Sequence, residues 1–299
     1  MMKHLLAIIV CALLHVAPAL AQGGALAQAN QKYQAGDLKG ARTLVDEAIK
    51  DPELARMPDV WVLRGFVYKD LYKGAAKPEA DILRDEAMAS LYTAIVEDKD
   101  RKFLASSRPA YWYMAKTMYN DAVNALNAVQ PEPAMAYYAK YGEALRRLAP
   151  DTATVQADID FNNALGTVYV KLFNEDRQQY GWYDKAVAVY KRVLAMDSAN
   201  YGANYNLATL YYNRGVYNIQ RITPENDIPS LQQIQEASRE FFTLALPYML
   251  KAHQMRPGRA ETILGLESIH YSLQDEDKSR HYRRLFEELE HDEMKQRDH

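Results

Sequence analysis

Five histidines downstream of residue 21 are the side chains best suited to metal binding, and all of them lie in the last 47 residues of the chain. A zinc site on a helix typically uses two histidines four residues apart on one face. No pair here has that spacing, so we predict solvated histidines rather than ligands. The five are His253, His270, His281, His291 and His299. The remaining alternative is a metal site formed by His281, His291, Asp292 and Glu293.

Paired carboxylates can act as general acid and base when they are held in a cleft beside a substrate. We predict that the pairs here lie on solvent-facing helix surfaces instead, because charged side chains are rarely buried. The chain also contains no nucleophile elbow, phosphate-binding loop, zinc helix or dinucleotide fingerprint. We therefore expect no catalytic residues, no cofactor and no metal. The pairs are Asp158/Asp160, Glu175/Asp176 and Glu287/Glu288.

Tyrosine and tryptophan offer a different chemistry, the binding of partners or sugars through large amphipathic rings. The chain has 22 Tyr and 3 Trp beside 7 Phe. Consecutive rings on a helix point about 100° apart, so a run such as 111–113 cannot face one core. We predict that some rings pack between helices and that others form a partner-binding surface. The candidate partner-binding residues are Trp112, Tyr113, Tyr138, Trp182 and Tyr212.

The charge balance argues against nucleic acid as a ligand. The chain has 36 Lys and Arg against 39 Asp and Glu, a formal net charge of −3, whereas binding to a phosphate backbone requires a basic surplus. At 299 residues with 48% hydrophobic residues, the chain can bury a core in one elongated domain or two compact ones. Its single cysteine, Cys11, excludes a disulfide framework.

The first 21 residues have the pattern of a secretory signal peptide. Lys3 precedes the apolar run from Leu5 to Leu14, and Ala19-Leu20-Ala21 forms a small-residue cleavage pattern. His15 and Pro18 interrupt the segment, so it lacks the roughly 20 uninterrupted apolar residues that span a bilayer. We expect cleavage after residue 21, export to the periplasm or the cell exterior, and no integral membrane segment in the product.

The elements that must position these residues are helices. Apolar residues recur at i, i+3, i+4 and i+7 along the chain, without the alternation typical of strands. One recurring pattern places a small residue after a large one, usually with Tyr three positions later: Trp61-x2-Arg64-Gly65-x2-Tyr68, Leu165-Gly166-x2-Tyr169, Asn204-x2-Leu207-Ala208-x2-Tyr211 and Leu264-Gly265. A second pattern spaces small and apolar residues: Ala41-x3-Val45-x2-Ala48, Ala87-x3-Leu91-x2-Ala94, Ala186-x3-Tyr190-x2-Val193 and Ala245-x3-Met249-x2-Ala252.

These two patterns resemble helix A and helix B of the tetratricopeptide repeat (TPR), in which small residues let the paired helices cross closely. The resemblance implies an all-α, right-handed solenoid of about six helical hairpins. We place the repeats within residues 24–289 of a domain that spans 22–289, followed by a polar tail at 290–299. Three prolines are expected to stop B helices: Pro52, Pro150 and Pro257.

The repeats differ from the TPR pattern in the distance between the small residues of helices A and B. It is about 12 positions in the standard repeat, but 12, 22, 21, 20, 37 and 13 positions here. The six pairs are Ala29/Ala41, Gly65/Ala87, Lys116/Tyr137, Gly166/Ala186, Ala208/Ala245 and Gly265/Lys278. The extra residues form longer helices or loops at the A-to-B turns, and together they build a rim along one edge. This rim either binds a partner or has no function. It consists of Lys69–Arg84, Asn120–Pro133, Leu172–Tyr183 and Val216–Glu236. In the last segment, Pro224 and Pro229 predict a break in regular helix.

The TPR resemblance implies a non-enzymatic scaffold that binds a protein or peptide in the groove lined by A helices. The basic pattern of chaperone-binding TPR domains is not recognisable, so no family binding residue is carried over. Together with the signal peptide, the resemblance predicts a protein-interaction scaffold of the bacterial cell envelope. The alternative is a carbohydrate- or peptidoglycan-associated binder that uses the aromatic rings, and an enzyme with a buried acidic pair or histidine cluster is the third possibility.

Overall fold

The computed structural model describes residues 24–297, with side chains up to residue 291. The signal-peptide prediction for residues 1–21 lies outside the described residues, as do the side chains of the alternative metal ligands Asp292 and Glu293. Within the described part, α-helices follow one another without a β-strand. They are α1 (24–34), α2 (Leu38–Ala48), α3 (Pro58–Gly74), α4 (Glu79–Glu97), α5 (Leu104–Asn127), α6 (Pro131–Leu148), α7 (Val155–Glu175), α8 (Tyr180–Met196), α9 (Tyr201–Gln220), α10 (Ile228–Met255), α11 (Ala260–Ser272) and α12 (Glu276–Arg297), with a short 3₁₀ helix at Leu54–Arg56.

Side-chain caps and prolines set several helix ends. The carboxylates of Asp37 and Asp227 and the amide of Asn200 accept backbone N–H groups in the first turns of α2, α10 and α9, which would otherwise lack partners. The predicted stops are confirmed, because α2, α6 and α10 end a few residues before Pro52, Pro150 and Pro257. Helix α12 continues through the polar C-terminal segment to Arg297.

The described residues divide into two compact units, and the division falls within α5 and α6. Unit 1 consists of residues 24–121 and 137–148, and unit 2 consists of residues 122–136 and 149–297. Consecutive helices pack as hairpins: α3 with α4 in unit 1, and α7 with α8, α9 with α10 and α11 with α12 in unit 2. The predicted all-α fold of TPR-like helical hairpins is thereby confirmed.

Small residues allow the close approach of paired helices where the sequence predicted it. A Cβ atom on Gly65 would lie 2.7 Å from the side chain of Leu91 on α4. On Gly166 it would lie 2.6 Å from the ring of Tyr190 on α8. Both distances are too short for a real Cβ, so the two hairpins depend on glycine at these positions.

Two of the predicted contact pairs are wrong. In the third repeat Lys116 is exposed and Ala115 beside it is buried. In the sixth repeat Lys278 is exposed whereas Ser279 is buried, and Gly265 approaches Met249 of α10 rather than α12. A single-residue error is easy here because adjacent positions on a helix point about 100° apart.

The residues inserted at the A-to-B turns mostly lengthen the helices. The loops that join α3 to α4 and α7 to α8 span only residues 75–78 and 176–179, so the extra residues belong to helices of 17 to 21 residues. The segment Val216–Glu236, predicted to break regular helix, does so only at 221–227. Pro229, the second proline of the segment, does not break a helix but lies in the first turn of α10, where proline is tolerated.

Candidate binding groove

An apolar groove of about 630 Å³ opens on the surface of unit 1. Helix α1 lines it with residues spaced for one helical face, and α3 lines it in the same way. Phe103, which precedes α5, completes the lining. We call this the A-helix groove; its residues are Leu26, Ala27, Asn30 and Tyr33 of α1, Asp59, Val62, Leu63 and Phe66 of α3, and Phe103.

The groove is anchored in the core of unit 1. Leu63 is buried with Ala29 and Ala41 in one hydrophobic cluster, and Leu26 and Tyr33 pack against the same cluster. Side chains held by such packing keep one rotamer, which reduces the entropy cost of binding. The A-helix groove is therefore largely pre-formed.

Phe103 reaches the groove because a buried carboxylate holds the preceding turn. Asp98, at the C-terminus of α4, accepts hydrogen bonds from the backbone N–H groups of Lys102 (2.9 Å) and Phe103 (2.7 Å). A carboxylate that accepts two backbone N–H groups fixes a turn firmly. The aromatic ring at this end of the groove thus depends on a residue outside it.

A charged network contacts Tyr33, one of the residues that line the groove. The hydroxyl of Tyr33 donates to Asp70 at 2.6 Å, and Lys73 donates to the same carboxylate at 2.8 Å. Burial and the adjacent Asp70 raise the pKa of Tyr33. Burial alone would raise the pKa of Asp70, but hydrogen bonds from its lysines and Tyr33 lower it below its ordinary value. The network carries a net positive charge, because two lysines, Lys69 and Lys73, face one carboxylate and the hydroxyl of Tyr33 is neutral.

Asp59 gives the groove an unpaired negative charge. Its Oδ1 accepts the backbone N–H of Val60 at 3.0 Å, and it forms no ion pair with any side chain between residues 24 and 291. Asn30 is the other polar lining residue and is exposed. The apolar lining and the Asp59 carboxylate together best match a ligand segment with apolar side chains and an adjacent positively charged group.

The five aromatic residues predicted as a binding surface lie elsewhere, and four of them are half-buried. In unit 1, Trp112 packs on the core and meets Tyr111 edge-on at 5.8 Å, and Tyr138 lies 6.2 Å from Tyr119. Tyr113 is 46% exposed and therefore free to contact a partner. None of these three lines the A-helix groove.

The other two predicted rings lie in unit 2 and pack against neighbours. Trp182 stacks on Tyr169 at 5.7 Å, and the Lys185 ammonium lies 4.3 Å from its ring centre. Tyr212 contacts Phe242 at 5.4 Å. These rings are partly covered by the protein itself, and their role in partner binding stays a prediction.

Unit 2 has a groove of its own beside the inserted segment of α9. Its volume is about 460 Å³, and Ile219 of α9 and Tyr271 of α11 contribute exposed apolar surface. Val216, the first residue of the predicted rim segment, also lines it. Part of the rim therefore borders a concave surface, whereas its remaining residues lengthen the helices.

The prediction of solvated histidines is wrong for His270. Its side chain is buried, stacks on Tyr282 at 5.6 Å, and pairs with the carboxylate of Asp275 at 3.3 Å from Nδ1. His253 meets the same tyrosine at 5.7 Å and is half-buried. Among the described side chains, no group of three His, Cys, Asp or Glu could hold a metal ion.

Comparison with known proteins gives only a distant likeness. No protein-family model matches the chain, and no curated protein matches it. Among solved structures, an IFIT1 monomeric mutant with Gppp-AAAA is 13% identical with a TM-score of 0.38, over 83% of this chain and 46% of that one. Another IFIT1 monomeric mutant, with m7Gppp-AAAA, is 13% identical with a TM-score of 0.33, over 86% and 58%. This chain thus spans about half the length of those it matches, and a likeness this distant transfers no ligand.

The residues that line the A-helix groove were not among the predicted site residues. A signal for them exists, because Leu26 and Tyr33 lie three residues before and four after Ala29, on the face beside the helix contact. Val62 has the same relation to Gly65. Such apolar positions also occur in cores, so sequence alone did not separate groove from core.

Within the described residues, no helix has both the length and the apolar character needed to cross a bilayer.

Proposed function

We propose that this protein is an exported, non-enzymatic scaffold that binds a peptide segment of a partner protein in the A-helix groove. The observation that carries the proposal is the groove itself: a concave apolar surface on A helices with one unpaired carboxylate, Asp59. Its volume of about 630 Å³ falls within the usual range of ligand sites, roughly 300–1,000 Å³. The secretory pattern of residues 1–21 supports a location in the bacterial cell envelope.

The chemistry of the groove defines the partner. Val62 and Phe66 offer apolar surface for one or two large apolar side chains, which supply most of the affinity of such sites. Asp59 favours a lysine or arginine next to them, since opposite charges improve specificity and association rate. The expected ligand is a peptide with apolar anchors followed by a basic residue.

Affinity capture from cell-envelope extract tests the proposal. The bait is the purified protein, compared with Val62→Glu, which places a charge in the groove, and with Ile82→Glu as the matched control. Ile82 is 62% exposed on α4 of the same unit and lies outside the groove. We expect one partner to be enriched by the wild type and by Ile82→Glu and lost with Val62→Glu. No enriched protein, or equal capture by Val62→Glu, would contradict the proposal.

The carbohydrate-binding alternative has less support, because only Tyr113 of the five predicted rings is exposed. A titration of tryptophan fluorescence with peptidoglycan fragments separates it from peptide binding. Trp112 and Trp182 are both half-buried, so a ligand that stacks on either ring changes its emission. An unchanged spectrum removes the glycan alternative.

A further inference from the structure

Three arginines surround one tyrosine near the C-terminal end of α9 in unit 2. The guanidinium carbons of Arg177, Arg214 and Arg221 lie 5.3, 5.6 and 5.8 Å from the ring centre of Tyr217. Arg177 belongs to the turn between α7 and α8, whereas Arg221 is the C-cap of α9. We call this group the arginine cluster.

The positive charge of the cluster is not compensated within the described residues. None of its three arginines forms an ion pair with a carboxylate there. Three carboxylates close to the cluster in sequence are engaged elsewhere: Asp176 accepts Gln178 N–H at 3.0 Å, Glu225 hydrogen-bonds with Thr223, and Asp227 caps α10. Three like charges close together repel one another, so this arrangement is unfavourable without an anion.

One further observation shows a donor without an acceptor, and a second shows the excess positive charge of this surface. The Nη1 atom of Arg214 is buried and has no hydrogen-bond partner, and a buried donor left unsatisfied is destabilising. Tyr180, which is 43% exposed, lies 4.5 Å from the Arg214 guanidinium carbon. Hydrogen bonding and attraction from Arg214 lower the pKa of Tyr180, which reflects the excess positive charge at this surface.

The aromatic rings contact the faces of the guanidinium groups; of the in-plane donors, Nη2 of Arg177 donates to Asn174 Oδ1 at 3.3 Å, and Arg214 hydrogen-bonds the hydroxyl of Tyr180. Arg214 lies over Tyr180, Tyr217 and Phe241, the last at 5.9 Å. Contacts with ring faces leave the in-plane N–H groups of a guanidinium available. Those N–H groups form a planar fork that matches two oxygens of a phosphate. Packing of arginine on tyrosine explains the position of each side chain. It does not explain why three arginines cluster without a carboxylate that pairs with them.

We propose that the arginine cluster binds the phosphate group of a ligand, either a soluble phosphorylated molecule or a lipid headgroup. A phosphate carries close to two negative charges at neutral pH and several strong acceptor oxygens, which suits three unpaired guanidinium groups. The hydroxyl of Tyr180 adds a further donor at the exposed edge. The arginine cluster belongs to unit 2, whereas the A-helix groove belongs to unit 1. Phosphate binding can therefore be tested independently of the proposed peptide binding.

Isothermal titration calorimetry with inorganic pyrophosphate at low ionic strength is the first test. We expect one site per chain, and a loss of at least about tenfold in affinity for Arg177→Gln and for Arg221→Gln, since a hydrogen bond to a charged group contributes about 1.5–3 kcal/mol. Arg239→Gln is the matched control, because it removes the same charge from an exposed position of unit 2 on α10. Circular dichroism of each variant verifies the fold.

Cosedimentation with vesicles identifies the source of the phosphate. Vesicles of phosphatidylglycerol and of zwitterionic phosphatidylcholine are compared, with the same three variants. Binding to pyrophosphate alone assigns a soluble ligand, and binding to phosphatidylglycerol that is lost with Arg177→Gln assigns a lipid headgroup. The proposal is overturned when neither probe binds, or when Arg239→Gln weakens binding as much as the cluster variants do, which would mean that net charge alone attracts the anion.

Discussion

At the scale of single residues, the structure contains a buried arginine that the sequence did not predict. Arg84 of α4 is fully buried and pairs with Asp81 at 2.5 Å and Asp121 at 2.6 Å. Its guanidinium also lies 5.3 Å from the ring of Tyr137. Arg84 thus connects α4 with α5 and α6 inside unit 1, a role that a helical wheel does not reveal.

Truncation of this residue should destabilise the protein strongly. Arg84→Ala leaves Asp81 without its cation and Asp121 with Lys77 alone, and breaking a buried ion pair costs about 3–5 kcal/mol. We expect a loss of that size in the free energy of unfolding from urea denaturation. Lys50→Ala is the control, because the Lys50–Glu47 pair is exposed on both sides and such pairs contribute about 0–1 kcal/mol. Similar losses of unfolding free energy for the two variants would show that Arg84 does not form buried ion pairs with Asp81 and Asp121.

Buried His270 of α11 and half-buried His253 of α10 make the packing around Tyr282 sensitive to acid. Burial lowers the pKa of His270 despite the opposing effect of Asp275, and burial and His281 lower the pKa of His253. Lys278, which is close to Asp275, also disfavours the charged form of His270. The unfolded chain therefore binds more protons than the folded one as the pH falls through about 6.5. The stability that these groups contribute is present above that pH and is lost below it.

Comparison of urea unfolding at pH 7.5 and pH 5.0 checks this prediction. The wild type should lose stability on acidification, and His270→Gln should lose less of it, because one of the two groups no longer titrates. His291→Gln, at an exposed position of α12, should behave as the wild type. An undiminished pH dependence in His270→Gln would exclude His270 as a source of the effect.

At the scale of helices, lengthened hairpins need close contacts beyond those of the standard repeat. Gly215 of α9 provides one of them, since an added Cβ would lie 2.5 Å from the ring of Phe242 and 2.9 Å from the carbonyl oxygen of Ser238 on α10. Both partners belong to the hairpin that carries the largest insertion. The insertion therefore extends the packed interface of two helices instead of forming a mobile loop.

Gly215→Ala should lower the free energy of unfolding by about 1–3 kcal/mol, the usual cost of overpacking. Alanine is otherwise the better helix former, by roughly 1 kcal/mol, so the sign of the effect is informative. Gly181→Ala on α8 is the matched substitution, because nothing lies within 4 Å of a Cβ there, and it should be neutral or stabilising. A stabilising Gly215→Ala would mean that the two helices are farther apart.

At the scale of the whole molecule, the proposed export would decide in which compartment a partner is bound. We predict that the protein recovered from the envelope or the medium starts at Gln22, since Ala19 and Ala21 form the small-residue cleavage pattern. Intact-mass spectrometry of the exported protein checks this. Ala21→Tyr should block cleavage because the peptidase accepts only small residues next to the cleavage site. Recovery of the uncleaved wild-type chain would contradict the signal-peptide interpretation.

The sequence by itself determined the class of fold and its helical hairpins. Helical periodicity and small residues such as Gly65 and Gly166 act locally and between neighbours in the chain, so their consequences can be deduced from spacing. The same reasoning located the prolines that end α2, α6 and α10. It misjudged Lys116 and Lys278 because a shift of one position turns a side chain to another face.

Only the tertiary structure decided which apolar and charged residues line a surface. Val62 and Phe66 have the types and spacing of core residues, yet they border an open groove because α1, α3 and Phe103 leave space between them. Arg177 and Arg221 resemble ordinary surface arginines, and they form a cluster because the turn after α7 comes close to Tyr217. These arrangements depend on contacts between residues far apart in the chain. Local spacing does not distinguish them from ordinary core or surface positions, which is why the candidate site and the arginine cluster emerged only from the folded protein.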